Sequence, residues 1–389
     1  MAKRIIQADL LLGMAGKPPI EGGAVLIEND QISAVGKFAD FTVDADTEVI
    51  DCAGQVLMPG LIDCHNHLSL DIRLENYLLR MKDSIPELSL RAVETMDIDL
   101  TAGVTTSRCL GDKEFLDVSC RKAVEDGRLK GPRLIVATRG IRASHGHGYV
   151  GYPFNGPESI RIAVRENLLA GADFIKLYIT GTVKGSGEIV SYLSKPEISL
   201  AVEESHRVGV KTATHCIGGQ GMDWAIEVGI DSIEHAYFIS DRQLDLLGRS
   251  NSRLVLTPSL FFADERIETL QPELADVFRR ERDLVGERMA AVIKSGLNYA
   301  VGTDGMHGGL AKEMAILVGL GASNRDVLTA ATVYGSKVCG LENEIGTLEP
   351  GKSADIIGVK GNPLEDILAL QNVSLVVSRG ELIHRENFD

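Results

Sequence analysis

The sequence predicts an α/β protein: a (β/α)8 TIM barrel carrying a small β-sandwich domain formed from both termini. Three observations predict it. Short apolar strands alternate with helical stretches through the middle of the chain, the pattern of a parallel sheet. Both ends are instead rich in strands and turns. Four of the nine histidines and one aspartate fall at the C-terminal ends of middle strands, where a barrel gathers its chemistry.

The ends come first. Arg4–Leu12 is rich in β-formers, and Gly22-Gly23 breaks it. Ala24–Glu28 and Gln31–Val35 flank Asn29-Asp30, a plausible hairpin turn. Glu48–Asp51 and Gln55–Leu57 continue the extended pattern, and Ala354–Val359, Leu375–Ser378 and Leu382–His384 add strands at the far end. Residues 1–57 with 345–389 are therefore assigned to one composite β domain and residues 58–344 to the barrel.

Within the barrel the expected strands are Leu61–Cys64, Val104–Leu110, Arg133–Ala137, Phe174–Ile179, Val210–His215, Ser232–Glu234, Leu254–Leu256 and Tyr299–Thr303. Helices fit between them; Pro157–Ala170 and Pro196–Arg207 each open on a proline, whose fixed φ suits a first helical turn. Lys184-Gly185-Ser186-Gly187 is the segment best suited to a mobile loop.

Composition excludes several classes. A formal net charge of −15 disfavours nucleic-acid binding, which needs basic surface to neutralise phosphates. No apolar run reaches the roughly 20 residues of a membrane span. The six cysteines are dispersed without a CxxC pair, so they read as buried small hydrophobes. The start, interrupted by Gln7 and Asp9, reads as a strand and not as a signal peptide, so a cytoplasmic location is expected. A homo-oligomer acting on a small molecule completes the expectation.

The chemistry rests on spacing. His65 and His67 lie two residues apart on the first strand, so both imidazoles share one face and suit joint coordination of an ion. His215 ends the fifth strand, His235 the sixth and Asp304 the eighth. Imidazole and carboxylate ligands favour zinc, though manganese, iron, cobalt or nickel could be held. Lys176 stands inside the apolar run Phe174-Ile175-Lys176-Leu177-Tyr178, where an unpaired ammonium is costly. It either snorkels at the sheet edge or, in a metal cluster, reacts with carbon dioxide and bridges two ions as an anion.

The motifs Val56–Leu68 (VLMPGLIDCHNHL), Phe174–Gly181, Lys211–Cys216, Asp231–Ala236, Ala300–Gly305 and Gly346–Val359 (GTLEPGKSADIIGV) occur in the order found in the amidohydrolase superfamily. Over essentially its whole length the chain resembles the branch of imidazolonepropionase-like proteins and metal-dependent, Xaa-Pro dipeptidase-like enzymes. The resemblance implies His65 and His67 as ligands of the more buried ion, Lys176 as the carboxylated bridge, and His215 and His235 as ligands of the second. It makes Asp304 both a ligand and the general base in attack by a metal-activated hydroxide, with one or two ions bound.

The same resemblance matches His147, in His145-Gly146-His147-Gly148, to a residue that orients the substrate carbonyl, and Tyr237, in His235-Ala236-Tyr237, to one near the substrate. Tyr178 shares the face of Lys176, but both tyrosines could equally be packing residues. Residues 179–182 depart from the Ser-Gly-Gly that dipeptidases of this branch carry after the lysine. Arg108, Arg139 and Arg142 could grip a substrate carboxylate or pair with a structural acid; Arg108 and Arg142 are retained as substrate-binding candidates.

The expected reaction is hydrolysis of an amide or peptide bond in a small N-acyl amino acid or dipeptide-like molecule. The alternative is a cyclic amide. Deamination is disfavoured, because Lys176 is present and no Glu follows His215 until Glu227. A non-catalytic scaffold is disfavoured by the complete ligand set.

Overall fold

A computed structural model describes residues 3–14, 16–148, 151–184 and 187–385. Eight parallel strands alternate with helices: β1 (Leu61–Asn66), β2 (Val104–Cys109), β3 (Arg133–Val136), β4 (Phe174–Tyr178), β5 (Lys211–Cys216), β6 (Ser232–His235), β7 (Arg253–Leu256) and β8 (Tyr299–Val301). All eight coincide with the expected strands to within two residues at either end. Two short strands were not expected: Ile141–Arg142 pairs with β4 through Leu177 and Tyr178, and Tyr152–Pro153 pairs with Ile141–Arg142.

The strands form a TIM-barrel-like α/β fold whose hydrogen-bonded ladder is interrupted twice: β1–β3 form one sheet, and β4–β8 with Ile141–Arg142 and Tyr152–Pro153 another. Each gap is stitched by an aspartate. Between β3 and β4, Asp173 donates its N–H to Val136 O and accepts the Val136 N–H on its carboxylate, both at 2.8 Å. Between β8 and β1, the Asp63 carboxylate accepts from the N–H and hydroxyl of Thr303, at 3.1 and 2.6 Å. There the Asp304 N–H also donates to His65 O at 2.7 Å.

Helices pack on the outside, against the apolar outer faces of strands such as β4. Ile175 and Leu177 of β4 pack outward in the same cluster as Ile160 and Ile198 of the flanking helices. Those helices, Pro157–Ala170 and Lys195–His206, begin close to where proline predicts, the second with a Ser194–Glu197 capping box. The connection from β7 to β8 is the elaborate one: Ser259–Phe262, Asp264–Ile267 and the long Pro272–Lys294 form three helices over the barrel mouth side.

Both termini build one eight-stranded mixed sheet whose hydrogen bonding is continuous, and its strands share one apolar core. The hairpin at Asn29-Asp30 is present, with Glu28 opposite Gln31 and Asn29 in the left-handed region at φ 61°. Thr47–Pro59 is one strand where the sequence suggests two pieces, parallel to Lys3–Leu11 and antiparallel to Ile356–Lys360. It leads through Gly60 into β1. A Cβ at Gly60 would stand 2.1 Å from Thr105 Oγ1, so only glycine lets the chain pass. Of the expected mobile loop 184–187, Gly185 and Ser186 lie outside the described residues. No described helix is long and apolar enough to cross a membrane.

Candidate metal centre

The inward faces of the strands stack charges in layers. On β4, alternation turns Phe174, Lys176 and Tyr178 inward, with Arg108 of β2 over the Phe174 ring at 4.2 Å and Lys176 Nζ 5.1 Å from the centre of the Tyr178 ring. On β1 it turns His65 and His67 to the mouth, while Asn66 faces away and donates to Asp99 and Ser107 at 2.9 and 3.1 Å. On β6, strict alternation would set Glu234 and His235 on opposite faces. His235 escapes it by adopting φ 77°, a left-handed conformation costly for a non-glycine residue, and both side chains reach the interior. Asp304, just past β8, sits at φ 50°.

Five imidazoles then follow one another across the mouth. Ring centres are separated by 5.4 Å from His67 to His65, 4.5 Å from His65 to His235, 4.4 Å from His235 to His215, and 4.4 Å from His215 to His147. The outer nitrogens are fixed by partners: His65 Nδ1 by Glu234 at 2.9 Å, His67 Nδ1 by Gly111 O at 2.7 Å, His235 Nδ1 by Thr257 Oγ1 at 2.7 Å, and His215 Nε2 by Gly181 O at 2.9 Å. Asp304 Oδ1 lies 3.5 Å from Nε2 of both His65 and His67.

Three buried polar atoms here lack a hydrogen-bond partner: His65 Nε2, His235 Nε2 and Lys176 Nζ. Burying such groups unpaired is expensive, so each calls for a partner. Ligand atoms of His65, His235 and Asp304 lie within 4.8 Å of one another, so this donor set fits a divalent cation. The grouping crosses the expected division, which put His65 and His235 on different ions. His67 adjoins it through Asp304; His215 adjoins it through its ring contact with His235.

Burial sets the protonation states. It lowers His67 to about 3, His147 to about 4 and Lys176 to about 7, the lysine despite the pull of Glu234 and Asp304. It also holds His215 and His235 well below the usual histidine range. Burial opposes ionisation of Asp304, yet its interaction with His65 and the charge of Arg266 keep the carboxyl well below its ordinary value. His67, His147, His215 and His235 are therefore held neutral and Asp304 ionised, the states in which such groups ligate metals.

The other expected residues divide. His147 and Tyr178 line a cavity of about 360 Å³ that opens onto the cluster. Thr182 Oγ1 stands 3.1 and 3.0 Å from the two ring nitrogens of His147. Tyr237 does not line the cavity: its hydroxyl meets Thr257 O and Oγ1 at 2.9 and 2.8 Å, so it acts through the group that holds His235. Arg108 is corrected from substrate contact to buried support. It lies beneath the cluster and donates to Glu234 at 3.1 Å, Ser232 Oγ at 2.8 Å and Cys64 O at 3.1 Å. Arg142 is likewise turned to its own loop, donating to the carbonyls of Ala143, Ser144 and Gly146 at 3.1, 3.3 and 3.1 Å. Arg139 pairs with Glu166.

Three residues were assigned no role from sequence. Glu234 orients His65; burial opposes its ionisation, but Arg108 and His65 hold the carboxyl well below the usual range. Thr257 orients His235. Arg266, fully buried, gives its N–H groups to Tyr77 Oη at 3.4 Å, Ser259 Oγ and Thr303 O at 2.9 Å each, and Asp304 O and Oδ2 at 2.7 and 3.3 Å. A carboxylate inside a barrel strand, immediately before the strand-end His235, is the signal that could have found Glu234.

The sequence pattern of the amidohydrolase family matches residues 56–383. Ochratoxinase of Aspergillus niger is 28% identical, the match covering 96% of this chain and 84% of that protein. Imidazolonepropionase of Symbiobacterium thermophilum is 26% identical, with 97% of this chain and 96% of the relative covered. Among solved structures, a Xaa-Pro dipeptidase with methionine bound in its active site has a TM-score of 0.89 and 29% identity, covering 98% of this chain and all (100%) of that one.

Proposed function

The chain belongs to the amidohydrolase family and is a metal-dependent hydrolase of carbon–nitrogen bonds, and from that premise we propose that it hydrolyses an amide bond in a small N-acyl compound at the histidine cluster. An N-acyl amino acid or dipeptide is one form of such a substrate, and a cyclic amide is the alternative. The observation that carries the reading is the convergence of His65 and His235, each with an unpartnered buried Nε2, on Asp304, with Lys176 Nζ also buried and unpartnered on the inward side of β4.

His65, His67, His215, His235 and Asp304 would hold one or two divalent ions, zinc in the first instance, with Lys176 joining them as its carboxylate after reaction with carbon dioxide. When bound, such an ion supplies the Lewis acidity that acidifies water and polarises a carbonyl. Asp304, ionised, accepts the proton of the attacking water and returns it to the leaving nitrogen. His147, neutral at pH 7, carries one N–H for the developing oxyanion, and Thr182 fixes the ring. Tyr178 flanks the same space. The division into a composite domain of residues 1–57 with 345–389 and a barrel of 58–344 is part of the same proposal.

The test uses protein stripped by chelator and reloaded with zinc, manganese or cobalt, assayed for amine release from N-acyl amino acids, simple N-acyl amines, dipeptides and cyclic amides. Metal-dependent release from linear amides is expected. Turnover of cyclic amides alone establishes the alternative, and no metal-dependent turnover of any overturns both.

A further inference from the structure

The cavity that opens onto the cluster has a lopsided wall. One side is polar, built by His147, Thr182 and the metal-facing histidines. The other is apolar and comes from two separate insertions: Leu70, Tyr77, Leu78 and Met81 follow β1, while Leu260 and Phe278 belong to the helices between β7 and β8. Tyr77, Leu260 and Phe278 join one apolar cluster, so this wall is packed from behind and will not retreat to admit water.

Permanent charge is what the wall lacks. Among the described residues Arg266 is the only lysine or arginine lining the cavity. A guanidinium has five N–H donors, and five contacts consume them: Tyr77, Ser259, Thr303 and two to Asp304. Nothing remains for a bidentate grip on a ligand. Arg142 does not line the cavity, its Nη1 held on loop carbonyls and its Nε buried without a partner, and Arg108 lies beneath the cluster on Glu234. None of the residues outside the description is a lysine or arginine. A carboxylate carried into this space would be desolvated without a dedicated cation, a penalty that a neutral group of the same shape avoids.

We propose that the substrate is an uncharged amide bearing a bulky apolar group, with no carboxylate beside the scissile bond. The inference rests on the amide-hydrolase reading above and narrows it against amino-acid conjugates. A volume of about 360 Å³ suits a small molecule with one such group.

The test is a pair that differs only in the carboxylate: N-benzoyl-leucine and N-benzoyl-3-methylbutylamine, its decarboxylated counterpart. With zinc-loaded protein, kcat/KM for the neutral amide should exceed that for the acid by about 10-fold or more, the cost of one unpaired buried charge. Calorimetric binding to the metal-free protein should show the same order, independent of turnover. A Leu274→Arg variant, placing a cation on the apolar wall, should raise kcat/KM for the acid about 10-fold and lower that for the neutral amide. Equal or tighter binding of the acid by the unaltered protein overturns the proposal, as does binding of neither compound. Binding of the neutral amide without cleavage of any amide leaves this inference standing and removes the hydrolase reading instead.

Discussion

Glu234 and His65 are joined across the barrel interior by a 2.9 Å hydrogen bond from imidazole Nδ1 to Oε2. That bond leaves Nε2 of the same ring facing Asp304 and His235, and Arg108 anchors the other oxygen of the carboxylate. Orientation of a ligating histidine by such a carboxylate fixes its tautomer and raises its basicity. Glu234→Gln should therefore weaken divalent-ion affinity by about 10- to 100-fold while the protein stays folded. Competition with a chromophoric chelator measures it; unchanged affinity removes Glu234 from the support of the centre.

Lys176 should be found carboxylated in metal-loaded protein. Its Nζ is buried and unpartnered, and burial draws its pKa down to about 7, leaving a reactive neutral amine. Protein loaded under ¹³C-bicarbonate should give a carbamate resonance that is absent from Lys176→Arg. A density map with a plain ammonium distant from the histidines would count against the bridge.

Asp304→Asn preserves size and one coordinating oxygen but accepts no proton at neutral pH. Turnover should fall by about 10²- to 10⁴-fold with metal content largely retained, the range of a lost acid–base catalyst. A metal-replete variant with near-normal rate would require another base.

His147→Ala should lower kcat and kcat/KM together by about 10²-fold, as expected when a contact made in the transition state disappears. Metal content should not change. Metal loss in this variant would move His147 from the substrate side into the coordination sphere.

Glu313 gives a prediction on stability. Burial raises its carboxyl to about 8; one oxygen accepts from the Ser259 N–H at 2.8 Å and the other has no partner. In the unfolded chain it titrates at about 4.3. The folded state holds a proton that the unfolded state releases between those values. The contribution is thus fully present below about pH 4 and is lost as pH rises through about 8. Glu313→Gln should flatten that decline by a few kcal/mol at most between pH 5 and 8, read from urea midpoints of metal-free protein. Parallel declines in both proteins would refute the assignment.

Much of this was legible in sequence because strands obey simple alternation. His65 and His67 share a face for that reason, and Lys176 falls between Phe174 and Tyr178 on the inward side of β4. His235 was placed at the mouth by its position in the chain, yet its entry beside Glu234 depends on a left-handed backbone that no pattern announces. Arg108 and Glu234 are 126 residues apart, so neither could be recognised as the other's counter-charge. Arg266 was hidden by its setting instead: its helix lies in a connection longer than a plain barrel requires, 38 residues before Asp304.

The seam between β8 and β1 has a consequence for biosynthesis. Asp63 waits for Thr303, 240 residues downstream, and His65 waits equally long for the Asp304 N–H and carboxylate. A growing polypeptide thus carries its first two histidines through most of translation without the carboxylate that completes their set. Any product cut short before residue 304 leaves the ribosome with the barrel unsewn and the hydrolytic apparatus incomplete.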